Sequence, residues 1–333
     1  MIQYLYLGRV DYDEGLRLQA EIAELRLQGR VENVLLLLEH PPVLTLGRNA
    51  DRGNVLVSEE SLAARGVTVH EINRGGDVTY HGPGQLVGYP IFDLRSLRNA
   101  KGGRMGPVEF VRGMEEALIR LCGGFGVRAG RIAGLTGVWC GKTGNREQGI
   151  GNSGQWSVVN SIPEEHTSGA KALADIVGSD VRAEALTHQK NHCSGAAERK
   201  IGAIGIHVAR GITTHGFAFN VITDLRDFQL IVPCGIRDHA VTSLDRELER
   251  ELGRNFDRPR DLPSLETVAH EAARQFGLVF GEQVQAVESL EALRAQAEAA
   301  AAARPEFPAE DTPLRVPAEV ERLRQKEGRP IVA

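Results

Sequence analysis

Cys234 lies in the run LIVPCGI, where its neighbours give the thiol its chemical interest. Proline before it and glycine after it predict a turn at the end of an apolar strand. Such a turn presents a side chain at a sheet edge, beside backbone N–H groups able to stabilise an oxyanion. A cysteine thiolate is a strong nucleophile, and a nearby cation raises the thiolate fraction. Lys200, at the head of KIGAIGIHV, would be such a cation if the fold sets it beside Cys234. A buried inert cysteine and a solvated lysine are the ordinary alternatives. His81 and His215 are further candidates for proton transfer, although His215, before Gly216, could equally satisfy backbone groups at a strand start. His166, His188, His192 and Cys193 are close enough in sequence to raise a metal site. Their polar, loop-like surroundings contain no paired-cysteine motif, and no metal is expected.

These residues need a frame, and the densest local signal is RGGDVTYHGPGQLVGYP, Arg74–Pro90. Five glycines and two prolines in seventeen residues make a poor helix and a poor core strand. The segment reads as a tight loop, carrying Arg74, Tyr80 and His81, between short strands at Gly66–Ile72 and Leu86–Leu94. An ordinary long hairpin connection is the bland alternative.

Elsewhere, Asp11 and Glu14 open a helix whose Leu18, Ile22 and Leu25 recur at helical spacing until Gly29. Val34–Leu38 and Val43–Leu46 read as strands. Pro107–Leu121 has helical periodicity, and Val127, Ile132 and Leu135–Trp139 suggest further short strands. Strand-like residues resume at Ile201–Val208 and Phe217–Val221, and a helix is expected over Ser264–Phe276. Elements alternate without a strict βαβ period, which predicts an α+β domain with mixed or antiparallel sheets. The polar stretch 141–197 reads as an insertion, with a short helix near Lys171–Val177. The expected catalytic domain is 1–281, interrupted at 141–197. A C-terminal extension, 282–333, follows, with an alanine-rich helix over Gln283–Arg304 adding little core.

At 333 residues the chain can bury a full core without disulfides or metals. A net charge of −5 and the lack of a basic run argue against nucleic acid as a partner. No apolar window reaches membrane-spanning length, no secretory signal is visible, and the four cysteines lack framework spacing. A cytoplasmic protein with reduced thiols is expected.

Three segments taken together carry a resemblance. Arg74–Leu94 (RGGDVTYHGPGQLVGYPIFDL), Lys200–Val221 (KIGAIGIHVARGITTHGFAFNV) and Pro233–Leu244 (PCGIRDHAVTSL) closely resemble the lipoyl(octanoyl) transferase family. Glu39–Ala50 (EHPPVLTLGRNA) looks like that family's upstream motif, and the similarity covers Met1–Trp139 and Arg199–Gly281 in order. The resemblance implies a biotin/lipoate protein ligase-type α+β fold, with mixed or antiparallel sheets flanked by helices. It also implies an acyltransferase that moves octanoyl from acyl carrier protein to a lysine of lipoyl domains, the first step of endogenous lipoate synthesis. The acceptors would be 2-oxoacid dehydrogenase complexes and the glycine cleavage H protein. Carried over by position, Cys234 matches the acyl-thioester nucleophile and Lys200 the residue that lowers its pKa. The substrate-lining stretches match Arg74, Gly75, Gly76, Asp77, Val78, Thr79, Tyr80 and His81, then Ala203, Ile204 and Gly205, then Gly216, Phe217 and Ala218. Gly202 stands where alanine is common in the pattern. No cofactor is expected, because the substrate brings its own phosphopantetheine. Lys200, with His81, would take the proton of the acceptor amine. An ATP-dependent lipoate or biotin ligase, a thioesterase, and a non-catalytic acyl-carrier-binding protein are the competing readings.

Overall fold

The apolar run Val34–Leu38 forms the centre of β2 (Asn33–Glu39) and is buried on both faces of a sheet. Leu35 and Leu37 enter one hydrophobic cluster and Val34, Leu36 and Leu38 enter another, as the two-residue period of a strand requires. A computed structural model describes residues 1–99, 101–141, 198–236, 238–253 and 262–303, with the main chain alone at Cys234 and Leu252. Among them β2 is flanked by β1 (Ile2–Arg9), which is parallel to it, and by β6 (Gln85–Ile91), which is antiparallel. The sheet continues antiparallel from β6 through β10 (Ile212–Asn220), β9 (Arg199–Ala209) and β8 (Leu135–Cys140) to β7 (Ala129–Ile132). The short β11 (Ala240–Val241) runs parallel to the start of β9.

Helices cover both faces. Helix α1 (Tyr12–Leu27) is capped by Asp11, whose side chain accepts from the Asp13 N–H, and it presents Leu18 and Ile22 to one face. On the other face lies α3 (Pro107–Gly124), with α2 (Glu59–Ala64) preceding it and α4 (Leu244–Leu252) following it in the chain. Phe110 and Met114 of α3 pack there with Phe276 and Phe280 of α5 (Leu265–Phe280) around Phe92. Helix α5 runs one turn beyond its expected end, because Gly281 is the residue that adopts the left-handed cap.

The chain beyond Gly281 differs from its expected course. It first forms a strand, β12 (Val284–Ala286), that pairs in parallel with Ile2–Tyr4 at the sheet edge. Helix α6 (Leu290–Ala302) then buries Leu293 and Ala297 beside α1. Arg294 pairs with Glu21, and Arg30 donates to the Ala297 carbonyl at 3.0 Å. Alanine's high propensity concealed a sparse apolar stripe that is sufficient to dock the helix.

A second sheet, in the order β4 (Thr68–Glu71), β3 (Val43–Leu46), β5 (Val78–His81), closes over its own small core. Strand β5 lies inside the run expected to be a loop. Val78, Thr79 and Tyr80 favour extended backbone and find β3 as a partner, which leaves 73–77 and 82–84 as the connecting turns. The strand expected before Cys234 is likewise absent. Leu225–Leu230 is two turns of 3₁₀ helix and Pro233–Gly235 a single 3₁₀ turn, and Ile231 between them makes one bridge, to Val55. The insertion, the helix near Lys171–Val177 and the residues His166, His188, His192 and Cys193 lie outside the described residues.

Candidate active site

The segment after β4 is tied down by its own arginine. Arg74 is buried, donates to the Thr45 carbonyl at 2.7 Å and to the Thr45 hydroxyl at 2.9 Å, and reaches the Gly75 carbonyl at 2.9 Å. The Gly75 N–H bonds to the Ile206 carbonyl of β9 at 3.1 Å, so the turn bridges the two sheets. A methyl group at Gly205 would stand 2.7 Å from the Gly75 carbonyl oxygen, which explains glycine there. Asp77 accepts from the N–H groups of Asp51 (3.0 Å) and Val78 (2.7 Å), and from the Asn54 amide (2.6 Å). The Cys234 turn packs against β5, with Gly235 close to the Asp77 carboxylate.

Strand alternation then sorts the expected site residues. Thr79 and His81 of β5 line a cleft between the sheets, together with Arg74, Gly76, Asp77, Ala203, Ile204, Gly205, Gly216, Phe217 and Ala218. Val78 and Tyr80 point the other way, into the core of the small sheet, where the Tyr80 hydroxyl donates to Asp227 at 2.6 Å. Tyr80 was expected to face the substrate; the two-residue period of β5 turns it away. Tyr12, Val87 and Tyr89 complete the lining and were missed by sequence reasoning. Tyr89 sat within the glycine-rich run, whereas Tyr12 carried no local signal beyond its place at a helix start.

Lys200 and Pro233 line a second cavity, which shares Thr79, Ala203 and Ala218 with the first. The head of β9 and the Cys234 turn therefore meet at one end of the cleft. Lys200 is buried, and its backbone pairs with Trp139 of β8 and Val241 of β11. Gly235 donates its N–H to the Val232 carbonyl (3.1 Å) and Ile236 to the Pro233 carbonyl (3.0 Å). These two amides close the turn, so they are not the free oxyanion donors expected there. Cys122 and Cys140 are buried thiols whose pKa burial pushes up, to about 12 for Cys140.

The two histidines that line the cleft, His81 and His215, and His40 beside His81 are neutral. Burial depresses His81 and His215 to about 3 and His40 to about 4, and each loses further from neighbouring positive or imidazole groups. Gln85 donates to the Tyr80 carbonyl (3.2 Å) and the Asn220 side-chain oxygen (2.9 Å), and Asn220 donates to the Thr242 carbonyl (2.9 Å). The remaining Gln85 oxygen accepts from His81 Nδ1 at 2.8 Å, leaving Nε2 as the unprotonated nitrogen. His40 Nδ1 donates to the Val10 carbonyl (2.6 Å), and its Nε2 takes the Tyr89 hydroxyl (2.7 Å). His215 adopts a left-handed backbone, φ +56°, donates its N–H to the Gln19 side-chain oxygen (2.7 Å) and places Nε2 2.8 Å from the Asn73 side-chain oxygen. No cluster of metal-ligating side chains occurs among the described residues. No helix among them is long and apolar enough to cross a membrane.

Comparison with known proteins supplies the context for this cleft. The lipoyl protein ligase A/B catalytic domain matches residues 11–256. An octanoyltransferase of Acidobacterium capsulatum is 50% identical over 290 residues, covering 87% of this chain and 94% of its own. One from Koribacter versatilis is 41% identical over 325 residues, 98% of each chain. The crystal structure of lipoate-protein ligase A bound with ATP superposes with a TM-score of 0.52. It is 13% identical, over 90% of this chain and 94% of that one, a likeness of fold. The chain belongs to the lipoyl protein ligase A/B catalytic domain family, and these two relatives within it are octanoyltransferases.

Proposed function

We propose that the chain transfers octanoyl from octanoyl-acyl carrier protein to a lysine of lipoyl domains, through a thioester on Cys234. The observation that carries this reading is the continuity of the cavities. Lys200 and the residue before Cys234 line one end, and Ala203, Ala218 and Thr79 lead into the rest. Val87, Ile204 and Phe217 give that cleft apolar lining suited to an alkyl chain. Each buried methylene is worth about 0.8 kcal/mol, which rewards length with limited resolution per carbon. The names of the relatives supply the acyl group.

In the first step the Cys234 thiolate attacks the octanoyl thioester carbonyl. A new carbon–sulfur bond forms, the old one breaks, and the departing carrier thiolate takes a proton from the Lys200 ammonium. One thioester replaces another, so the exchange is near thermoneutral and needs no ATP. In the second step the acceptor lysine's neutral amine attacks the acyl-enzyme and loses a proton to the Lys200 amine, and the Cys234 thiolate leaves. His81 was expected to share this proton; with a pKa of about 3 it is too weak a base, and the role rests on Lys200 alone. Acceptors on this reading are the lipoyl domains of 2-oxoacid dehydrogenase complexes and the glycine cleavage H protein. The only prosthetic group involved is the carrier's phosphopantetheine, and the reaction belongs in the cytoplasm with its carrier protein.

Incubation of the full chain with octanoyl-acyl carrier protein and a lipoyl domain, without nucleotide, tests this. Octanoylated lipoyl domain is the expected product. Transfer that requires free octanoate and ATP would establish a ligase instead. Free octanoate released as fast with the lipoyl domain as without it would establish a thioesterase.

A further inference from the structure

Lysine carries a flexible four-carbon stem, and a lysine that must meet two successive partners needs its ammonium held in place. Lys200 Nζ lies 5.1 Å from the centroid of the Trp139 ring. Trp139 is fully buried and pairs across the sheet with Lys200 itself. The β8–β9 register shifts between Val138 and Trp139, an irregularity that re-aims the indole relative to a regular strand. Beneath the stem sits Gly137, with φ +127°, where a methyl group would stand 2.7 Å from Lys200 Cε and 2.6 Å from the Gly202 carbonyl oxygen. The fully buried Glu115 accepts from the Gly137 N–H at 3.1 Å and fixes that backbone from α3. His239 packs edge-on against the indole, 5.1 Å between centroids at 69°, with its Nε2 3.5 Å from Glu198.

We propose that Trp139 is a positioning residue for Lys200, its indole face holding the ammonium at the end of the cleft beside the Cys234 turn. The inference rests on the Cys234–Lys200 reading above and adds to it an aromatic group that helps to set the lysine. A desolvated cation over an indole face is attracted by the ring quadrupole, and tryptophan is the strongest of the aromatic rings in this role. An aliphatic side chain fills the space without that attraction, so the stem samples other rotamers and the acylating thiolate loses its neighbour.

The test is the single-turnover rate of octanoyl-enzyme formation from octanoyl-acyl carrier protein, in the full chain, for W139F, W139Y, W139L, W139M, K200M and W139L/K200M. The aromatic variants are expected to keep a rate within about threefold of wild type, and W139L to be slower by about tenfold or more. W139M is the substitute if W139L does not fold. In the K200M background the leucine substitution should cost no further rate, because its effect passes through the lysine. The proposal is overturned if W139F is as slow as W139L. It is also overturned if W139L slows K200M by the factor it slows wild type, which would make Trp139 packing alone. K200M that acylates at the wild-type rate would instead overturn the Cys234–Lys200 reading, a distinguishable outcome.

Discussion

Lowering the pH from 8 to 5 should remove a large part of the protein's stability through three imidazoles. His81, His215 and His40 titrate at about 3, 3 and 4 in the folded state, against 6.5 in an open chain. The unfolded chain therefore binds more protons throughout the interval between these values, and stability rises with pH across it. At pH 8 none of the three is protonated in either state. At pH 5 all three are protonated when unfolded and neutral when folded, which costs about 2 kcal/mol each, roughly 6 kcal/mol together. Small domains have about 5–15 kcal/mol in all, so the loss is easily measured. Urea denaturation followed by far-UV circular dichroism at pH 8, 7, 6 and 5 would read it. His215→Asn, which tolerates the left-handed backbone, should reduce the loss between pH 8 and 5 by about 2 kcal/mol. Stability that is unchanged or greater at pH 5, or a His215→Asn protein with the full wild-type pH dependence, would refute the argument that these rings are buried and neutral.

Other expectations follow from individual contacts. Glu115 is fully buried and holds Arg112 (2.7 Å), Arg131 (3.0 Å) and the Gly137 N–H (3.1 Å). Glu115→Ala should cost about 3 kcal/mol in urea denaturation, and a loss below about 1 kcal/mol would show the network to be dispensable. Gly205→Ala should push the Gly75 carbonyl away from β9, destabilise the fold by about 2 kcal/mol and slow octanoyl transfer about tenfold. A variant with wild-type transfer would mean that the turn has room to move. Iodoacetamide applied to native protein should leave Cys122 and Cys140 unmodified while the denatured chain reacts at both, as peptide mass mapping would reveal. Rapid native labelling of either would contradict its burial.

How much of this was legible depended on whether the signal was local. The apolar run of β2, the Asp11 cap of α1 and the strand Val43–Leu46 are set by neighbouring residues and were readable as such. The partner that converts Val78–His81 from loop to strand lies more than thirty residues earlier, at Val43–Leu46, and the glycines around it masked its β-branched centre. Strand β12 is only three residues long, and its partner is the N-terminal strand, so no window of sequence contains the reason for it. Of the residues expected to line the substrate site, Arg74, Thr79, His81, Ala203 and Phe217 line one cleft. Tyr80 was misdirected because face selection follows from strand register, which a presumed loop does not have. Trp139 escaped notice because its significance is the cross-strand neighbour Lys200, separated from it in sequence by the whole polar segment.

The claim on which the functional account stands is that Cys234 carries the octanoyl group. Intact-protein mass spectrometry after incubation with octanoyl-acyl carrier protein, with no lipoyl domain present, measures it directly. The account predicts one octanoyl adduct on wild type, mapped to Cys234, and none on Cys234→Ala, with transfer to a lipoyl domain lost in that variant. Cys234→Ala protein that transfers octanoyl as fast as wild type would contradict it.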